Sequence, residues 1–305
     1  MTRSVDVHVH FYDAGHVQAA TLPQGYTCEP AYAPEPHFQA LGREGSVALV
    51  VSVYMSVFPG PAHVLDSLDR FETLRQHDPH LWGKTRMLGV VNADPDHAGN
   101  GLLEDPRILG VRFTLHRLDP AAFERRYHTK ASRAWDRLFN VLAGRGQHVL
   151  LYAVDPRVCR AALRWIPPEI PVGVDHLGLF DLPADGIAPD FEPTLESAVN
   201  RGNVYFKGPG YRAAPDPERV APHLRKVMEA VGPHRVLLGA TDAPNVGTDP
   251  ASGASFRDRF PDVYSVTDYT RRLADAACRE AVRGARVRPR QLLEENALTL
   301  YLGAR

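Results

Sequence analysis

The chain has 305 residues, 44% hydrophobic and 23% charged, values typical of a globular protein with a large core. Its 35 basic and 36 acidic side chains nearly cancel, which gives no indication of nucleic-acid or anionic-membrane binding. No apolar run approaches the roughly 18 residues that a membrane span needs, and the three cysteines are too scattered to indicate a disulfide framework. Since only Met1–Ser4 precede the first predicted strand, we expect no signal peptide and a cytoplasmic location.

Apolar runs alternate with amphipathic helical patterns along the chain. Most runs are continuous Val, Ile and Leu, as in parallel strands covered on both faces. Helices are predicted over 61–77, over 131–143, from the N-cap Asp216 to Gly232, and near the C-terminus between Leu292 and Leu302. The eight predicted strands cover residues 5–11, 47–53, 86–92, 109–115, 148–154, 171–176, 203–207 and 236–241.

Eight strand–helix repeats predict a (β/α)8 TIM barrel formed by residues 1–305 as a single domain. A doubly wound open sheet is the main alternative, but the Gly-rich phosphate turn typical of that fold does not follow the first strand. Three long connections, 12–38, 116–129 and 243–266, are predicted to be active-site loops, because long loops in compact domains usually bind ligands.

The first predicted strand carries two histidines on one face. His8 and His10 are two residues apart, so both side chains leave the strand on the same side. Two neighbouring imidazoles are typical of a metal site or of a pair that handles protons or binds an oxyanion. The residues alone leave both readings open.

Polar residues follow the predicted strands at the end where barrel enzymes place their active sites. Buried charge is costly unless it is paired or used, so their repeated occurrence predicts a functional site. These strand-end residues are Tyr54, Ser56, Arg112, His116, Arg117, Tyr152, Asp175, His176, Lys207, Tyr211, Arg212 and Asp242.

These motifs resemble the amidohydrolase superfamily, and more closely the amidohydrolase-2-type branch that includes 2-pyrone-4,6-dicarboxylate lactonases. Each motif is weak alone, but together they span nearly the whole chain in the expected order. They are DVHVHF at 6–11, GVRF at 110–113, DHLG at 175–178, KGPGYR at 207–212, GATDAP at 239–244 and ENA at 295–297.

The resemblance bears on whether a metal is needed. Metal-dependent members of the superfamily carry a histidine on strand five, where this chain has Tyr152, and the strand-four motif offers Arg112 rather than a lysine that could be carboxylated. The lactonase branch works without a metal and also has tyrosine on strand five. We therefore expect no cofactor, with zinc held by His8, His10 and Asp242 as the alternative.

The resemblance also implies roles for individual residues. Asp242 would be the general base that activates water, while His8, His10 and His176 would polarise the scissile carbonyl. Asp242 could instead cap a helix, and His176 could be structural.

Arg112 and Arg212 are predicted to clamp substrate carboxylates, because a guanidinium can form two hydrogen bonds to a carboxylate; ion pairs within the barrel are the alternative. Tyr152, Lys207, Arg117 and Tyr54 are further candidates for substrate binding.

One departure from the branch concerns the substrate. In the pyrone lactonases an arginine follows the strand-six His-x-Gly motif, whereas this chain has Leu179. We therefore expect a smaller, less charged or sugar-derived lactone.

The leading hypothesis is hydrolysis of a lactone that carries a carboxylate, with a small anionic molecule as the partner. A sugar-acid lactone isomerase, a zinc-dependent hydrolase or decarboxylase, and a non-catalytic small-anion binder are the alternatives. Self-association into a homo-oligomer stays open, since Phe58, Phe260 and Tyr264 could serve in a lid or in an interface.

Overall fold

The computed structural model describes residues 2–23, 26, 28–43, 45–127, 132–179, 182, 189–248 and 253–303. Eight parallel strands form one sheet in chain order, which confirms the (β/α)8 prediction and all eight predicted strands. The strands are β1 (Thr2–Val9), β2 (Gly45–Val53), β3 (Arg86–Asn92), β4 (Ile108–Thr114), β5 (His148–Tyr152), β6 (Val172–Val174), β7 (Val204–Lys207) and β8 (Val236–Leu237).

The barrel closes through backbone hydrogen bonds between β1 and the segment after β8. Val7 N donates to Gly239 O at 2.7 Å, and His10 N donates to Ala243 O at 2.9 Å. Between them, Asp242 N donates to His8 O at 2.7 Å. The short β8 is therefore extended by irregular backbone that holds Asp242 directly beside the two histidines.

The helices surround the sheet, and the helices predicted from 61, 131 and 217 begin within one residue of those positions. The predicted loops contain short helices of their own. The helices are α1 (Ala14–Ala19), α2 (Pro34–Gly42), α3 (Ala62–His77), α4 (Pro79–Trp82), α5 (Pro120–Tyr127), α6 (Ser132–Arg145), α7 (Pro156–Trp165), α8 (Glu192–Arg201), α9 (Pro217–Val231), α10 (Phe256–Arg259), α11 (Val263–Ala277) and α12 (Asn296–Leu302).

Parts of the predictions lie outside the described residues: position 131 of one helix, and positions 24, 25, 27, 128–129 and 249–252 of the three loops. No helix in the described ranges is both long and apolar enough to cross a bilayer.

The core has a larger apolar cluster between sheet and helices and a smaller one at the strand bases. In the larger cluster, Val111 and Phe113 of β4 pack with Leu142 of α6. In the smaller cluster, strand residues such as Leu88 and Leu150 are joined by Ala297 and Tyr301 of α12, a helix that contacts β1 and β8. The apolar C-terminal helix therefore lies on the barrel core, while the polar strand ends are left for a site.

Candidate active site

A cavity of about 270 Å³ lies at the carboxyl ends of the strands. All three predicted loops contribute to it, through Tyr26, His116 and Val246 among others. Seven of the ten residues predicted for the site line this cavity: His10, Arg112, Arg117, Tyr152, His176, Arg212 and Asp242.

The other three predicted residues, His8, Lys207 and Tyr54, lie elsewhere. His8 and Lys207 are completely buried and are not among the cavity-lining residues that the structure describes. The Tyr54 hydroxyl donates to Phe58 O at 3.0 Å, so it stabilises its own loop. The prediction that these side chains meet the substrate is not supported by their positions, because a strand-end position does not determine how deep a side chain lies.

Asp242 is the one acidic residue that lines the cavity within the described part of the chain. Its Oδ2 accepts hydrogen bonds from Tyr211 OH at 2.7 Å and from Arg212 Nε at 2.7 Å. Its Oδ1 faces His8 Nε2 at 3.6 Å and His10 Nε2 at 3.4 Å. One carboxylate oxygen is thus fully engaged with protein donors, while the other is directed at the two histidines.

Asp242 stays ionised in this environment. Burial by itself would raise the pKa of Asp242, but the Arg212 guanidinium and then the neighbouring His176 hold it well below its usual range. Burial and the adjacent Asp242 raise the pKa of Tyr211. Its hydroxyl therefore keeps its proton and donates a hydrogen bond to Asp242. Arg212 therefore forms an ion pair with a barrel carboxylate, the alternative to the predicted clamp.

A second carboxylate, Asp175, lies on the other side of His8. Its Oδ2 accepts from Arg112 Nε at 2.9 Å, and its Oδ1 lies 3.2 Å from His8 Nδ1 and 3.9 Å from Lys207 Nζ. Burial opposes ionisation of Asp175, but His8, Arg112 and Lys207 hold its pKa well below its usual range. The sequence showed Asp175 at a strand end, but gave no sign that it pairs with Arg112, which lies 63 positions away along the chain.

His8, in β1, and His10, directly after β1, present lone pairs to Asp242 when they are neutral. His10 Nδ1 lies 2.7 Å from Val53 O and donates to it, since a carbonyl can only accept, so a neutral His10 has its lone pair on Nε2. Burial lowers the pKa of His8 to about 4, although Asp175 opposes this. With a proton on Nδ1, facing Asp175, His8 also directs a lone pair from Nε2 toward Asp242. Three acceptor atoms then converge, and a proton or a cation between them would relieve their repulsion.

The same three atoms meet a basic test for zinc. Ligand atoms about 2.0–2.2 Å from a tetrahedral zinc are separated from one another by about 3.3–3.5 Å. Asp242 Oδ1 lies 3.4 Å from His10 Nε2 and 3.6 Å from His8 Nε2, and all three atoms lie within 4.8 Å of one another. In addition, neither ring nitrogen of His8 has a hydrogen bond of normal geometry among the described residues. The predicted alternative ligand set therefore fits a metal.

Backbone strain accompanies the site at two strand ends. His176 after β6 and Asp242 after β8 both have φ near +54°, and Leu177 and Asn245 have φ near +58°. Non-glycine residues in this region cost roughly 1–3 kcal/mol each and persist where surrounding contacts hold them. Asp242 is held by its own backbone N, which donates to His8 O at 2.7 Å, and through the preceding Thr241, whose N and Oγ1 donate to Asp6 at 3.1 Å and 2.6 Å.

Two basic residues of the cavity lining have no assigned role among the predictions, although His116 is one of the strand-end residues noted in the sequence. His116, at the end of β4, stacks on Tyr152 with ring centroids 4.8 Å apart. Arg126 reaches the cavity from α5, and no motif marks it. Together with Arg112, Arg117 and Arg212 it brings four guanidinium groups to a cavity with a single described carboxylate. The surplus of positive charge favours an anionic ligand.

No protein-family model and no curated protein sequence matches the chain. Solved structures do match along nearly its whole length. A probable 2-pyrone-4,6-dicarboxylic acid hydrolase from Acinetobacter baumannii, solved with citric acid bound, has 18% identity and a TM-score of 0.69, covering 98% of this chain and 99% of its own. A candidate 2-pyrone-4,6-dicarboxylic acid hydrolase from Pseudomonas putida has 22% identity and a TM-score of 0.62, covering 98% and 97%.

An amidohydrolase 2 from Bifidobacterium longum subsp. infantis is more distant, with 16% identity and a TM-score of 0.52 over 99% of each chain. At these identities the comparisons show a shared fold. The names of these structural neighbours are of the two kinds that the sequence motifs resemble, and the (β/α)8 barrel that they share with this chain is confirmed.

Proposed function

We propose that this protein hydrolyses a lactone that carries at least one carboxylate, without a metal, and that Asp242 activates the attacking water. The observation that carries the proposal is an ionised, buried carboxylate that lines a cavity whose other charged groups are arginines. An enzyme for an anionic ester needs this combination, because one group must accept a proton while the walls attract negative charge.

The neighbouring structures support the same class of ligand. Two of them carry names of 2-pyrone-4,6-dicarboxylic acid hydrolases, and one was solved with citric acid bound. Both named ligands are polycarboxylates, as expected for a site with an excess of guanidinium groups.

The four arginines of the cavity are expected to contribute unequally to substrate binding. Arg112 and Arg212 each have an ion pair with a barrel aspartate, so their charge is partly offset before a substrate arrives. Arg117 and Arg126 have no ion pair to any acidic residue in the described ranges, and both are exposed at the cavity. We infer that a substrate carboxylate meets Arg117 and Arg126 first, while Arg112 and Arg212 contribute mainly their remaining positive field.

In the proposed reaction, water transfers a proton to Asp242 as its oxygen bonds to the lactone carbonyl carbon. The developing oxyanion is stabilised by His176, which lines the cavity, and by the neighbouring guanidinium groups. The ring C–O bond then breaks, and Asp242 returns the proton to the leaving alkoxide. The product is an open-chain hydroxy acid, and no co-reactant besides water is needed.

His8 and His10 contribute differently in this scheme. His10 becomes a donor at Nε2 only as an imidazolium, since its Nδ1 proton is engaged by Val53 O. His8 is completely buried and is not among the described cavity-lining residues, so it would act on Asp242 rather than on the carbonyl, and it donates to that carboxylate only when its proton is on Nε2.

A zinc-dependent hydrolase is the second candidate, and the convergence of His8 Nε2, His10 Nε2 and Asp242 Oδ1 favours it. A bound zinc would polarise the substrate carbonyl and lower the pKa of a water molecule. The chain's own residues would still bind the carboxylate through the arginines and keep Asp242 in place through Tyr211 and Arg212.

Elemental analysis of the untreated protein and a lactone panel assayed with and without chelator separate the two candidates. We expect less than about 0.1 equivalent of metal, activity that survives chelation, and loss of activity in Asp242→Asn. About one equivalent of zinc together with loss of activity on chelation would select the second candidate. In ¹⁸O-labelled water a hydrolase incorporates solvent oxygen into the product, whereas an isomerase does not.

A further inference from the structure

His116 occupies an unusual place in the cavity wall. It follows β4, lines the cavity, and its ring stacks on Tyr152 at 4.8 Å with an interplanar angle of 29°. Its Nδ1 is buried and has no hydrogen-bond partner among the residues that the structure describes. Its Nε2 also has no hydrogen bond among the described residues but is not buried, so Nε2 is the nitrogen that can meet a polar group arriving with the ligand.

The charges around His116 keep it neutral. Burial and, after it, the neighbouring Arg117, Arg112 and Arg212 lower the pKa of His116 to about 4. A neutral imidazole has one N–H and one lone pair. Arginines can only donate hydrogen bonds and ionised Asp242 can only accept them, so His116 adds a mixed donor and acceptor to the wall. A hydroxyl group has the same mixed character and is its natural partner.

We propose that His116 is a specificity-determining residue that hydrogen-bonds a hydroxyl group on the bound carboxylate. The site would then prefer hydroxy acids and hydroxylated lactones over the corresponding compounds without the hydroxyl. For lactones this inference rests on the proposed function, but for binding it does not.

Two probes test it, citrate and propane-1,2,3-tricarboxylate, which differ only by the hydroxyl group. We expect the wild-type protein to bind citrate about tenfold more tightly, as one net hydrogen bond allows. In His116→Phe, which keeps an aromatic ring against Tyr152, the ratio of the two Kd values should fall to about one. His116→Asn, which can still donate and accept, should keep part of the preference. Isothermal titration calorimetry measures all six constants.

His223→Phe is a matched control. His223 is also buried, its Nδ1 also lacks a partner among the described residues, and its ring lies 4.5 Å from Phe191, but it does not line the cavity. Its Kd ratio should equal that of the wild type. If His116→Phe weakens both ligands equally, or leaves the ratio unchanged, the proposal is wrong. Should that variant fail to fold, the ratio in His116→Asn and in His116→Gln decides in the same way.

A parallel assay keeps the two proposals apart. With a hydroxylated lactone acid and its deoxy analogue, His116→Phe should lower kcat/KM about tenfold for the first and less than twofold for the second. If the wild type hydrolyses no lactone, the proposed function is wrong. The ratio of the Kd values for citrate and propane-1,2,3-tricarboxylate still tests the role of His116 in that case.

Discussion

Asp175 and Asp242 are two buried carboxylates in nearly the same chemical setting. Each faces one ring nitrogen of His8, each has an ion pair with an arginine, and the pKa of each is held well below its usual range. They differ in access. Asp242 lines the cavity and Asp175 does not, and Asp175 has Lys207 where Asp242 has Tyr211.

The difference indicates that charge environment alone does not identify the reactive group. A carboxylate enclosed by two cations and an imidazole can hold the site together but cannot meet a water molecule that sits on the substrate. Lys207 is one of these two cations. Burial lowers its pKa to about 8, although Asp175 opposes the shift, so most of the amine remains charged at pH 7. Four substitutions test whether the two aspartates divide the work in this way.

Asp242→Asn should have the largest effect on activity. Asparagine can still accept from Arg212 and Tyr211 through its carbonyl oxygen, but it cannot take a proton from water. We expect kcat/KM on the best lactone to fall about 10²–10⁴-fold, the usual contribution of a general base. Circular dichroism and thermal unfolding check that the variant stays folded. Activity within tenfold of the wild type would remove Asp242 from its proposed role.

Asp175→Asn should mainly lower stability. It leaves Arg112 and Lys207 buried without their counter-charge, and breaking a buried pair from one side costs roughly 3–5 kcal/mol. Urea unfolding measures the change, and kcat/KM should fall far less than in Asp242→Asn. Asp105→Asn is the control, because its hydrogen-bonded pair with Arg107 is partly exposed to solvent and should contribute about 1 kcal/mol or less. Equal losses in the two variants would contradict the view that Asp175 holds the site together.

The fold could be predicted from the sequence because it depends on patterns that are local. Short runs rich in valine, such as 47–53, are typical of strands covered on both faces, and their alternation with helices leaves few topologies. His8, His10 and Asp242 could likewise be placed, since strand ends meet at one edge of a barrel. The short helices in the predicted loops were missed because short segments show little periodicity: α1 has no buried residue, α5 has two and α10 has one.

Pairing within the site could not be predicted, since it depends on distances across the barrel. Whether Arg112 and Arg212 clamp a ligand or neutralise an aspartate is decided by the depth of Asp175 and Asp242, which no motif encodes. The burial of Lys207 and the position of Arg126, which reaches the cavity from α5, also depend on packing across the barrel and could not be predicted from a motif. The sequence pattern predicted which residues gather at one end of the barrel, and packing decides which of them line the cavity.

Arg212→Met should move the pH dependence of activity. In the wild type the guanidinium overcomes burial and keeps the pKa of Asp242 well below 3.8, so protonation of this group does not limit kcat/KM above about pH 4. Without the guanidinium, burial raises that pKa, and the acid limb of the kcat/KM profile should move upward by about 1–3 units. The stability that ionised Asp242 contributes is present above its unfolded pKa of about 3.9 and is lost as pH falls through its lower folded value, so the variant should also lose stability at neutral pH. An unchanged profile between pH 4 and 8 would show that Arg212 does not control Asp242.

Tyr54→Phe should have the smallest effect. It tests whether a residue at a strand end also contacts the substrate. Arg112 Nη1 donates to the backbone oxygen of Tyr54 at 2.7 Å, an interaction that the substitution keeps, while the lost hydroxyl donates to Phe58 O outside the cavity-lining set. We expect a loss of about 0.5–1.5 kcal/mol in unfolding free energy, the net worth of one hydrogen bond, and kcat/KM within about twofold of the wild type. A tenfold rise in KM instead would mean that the hydroxyl reaches the substrate after all. The segment after β2 would then have to rearrange when a ligand binds. In that case the difference in access between Asp242, which lines the cavity, and Asp175, which does not, would apply only to the ligand-free protein.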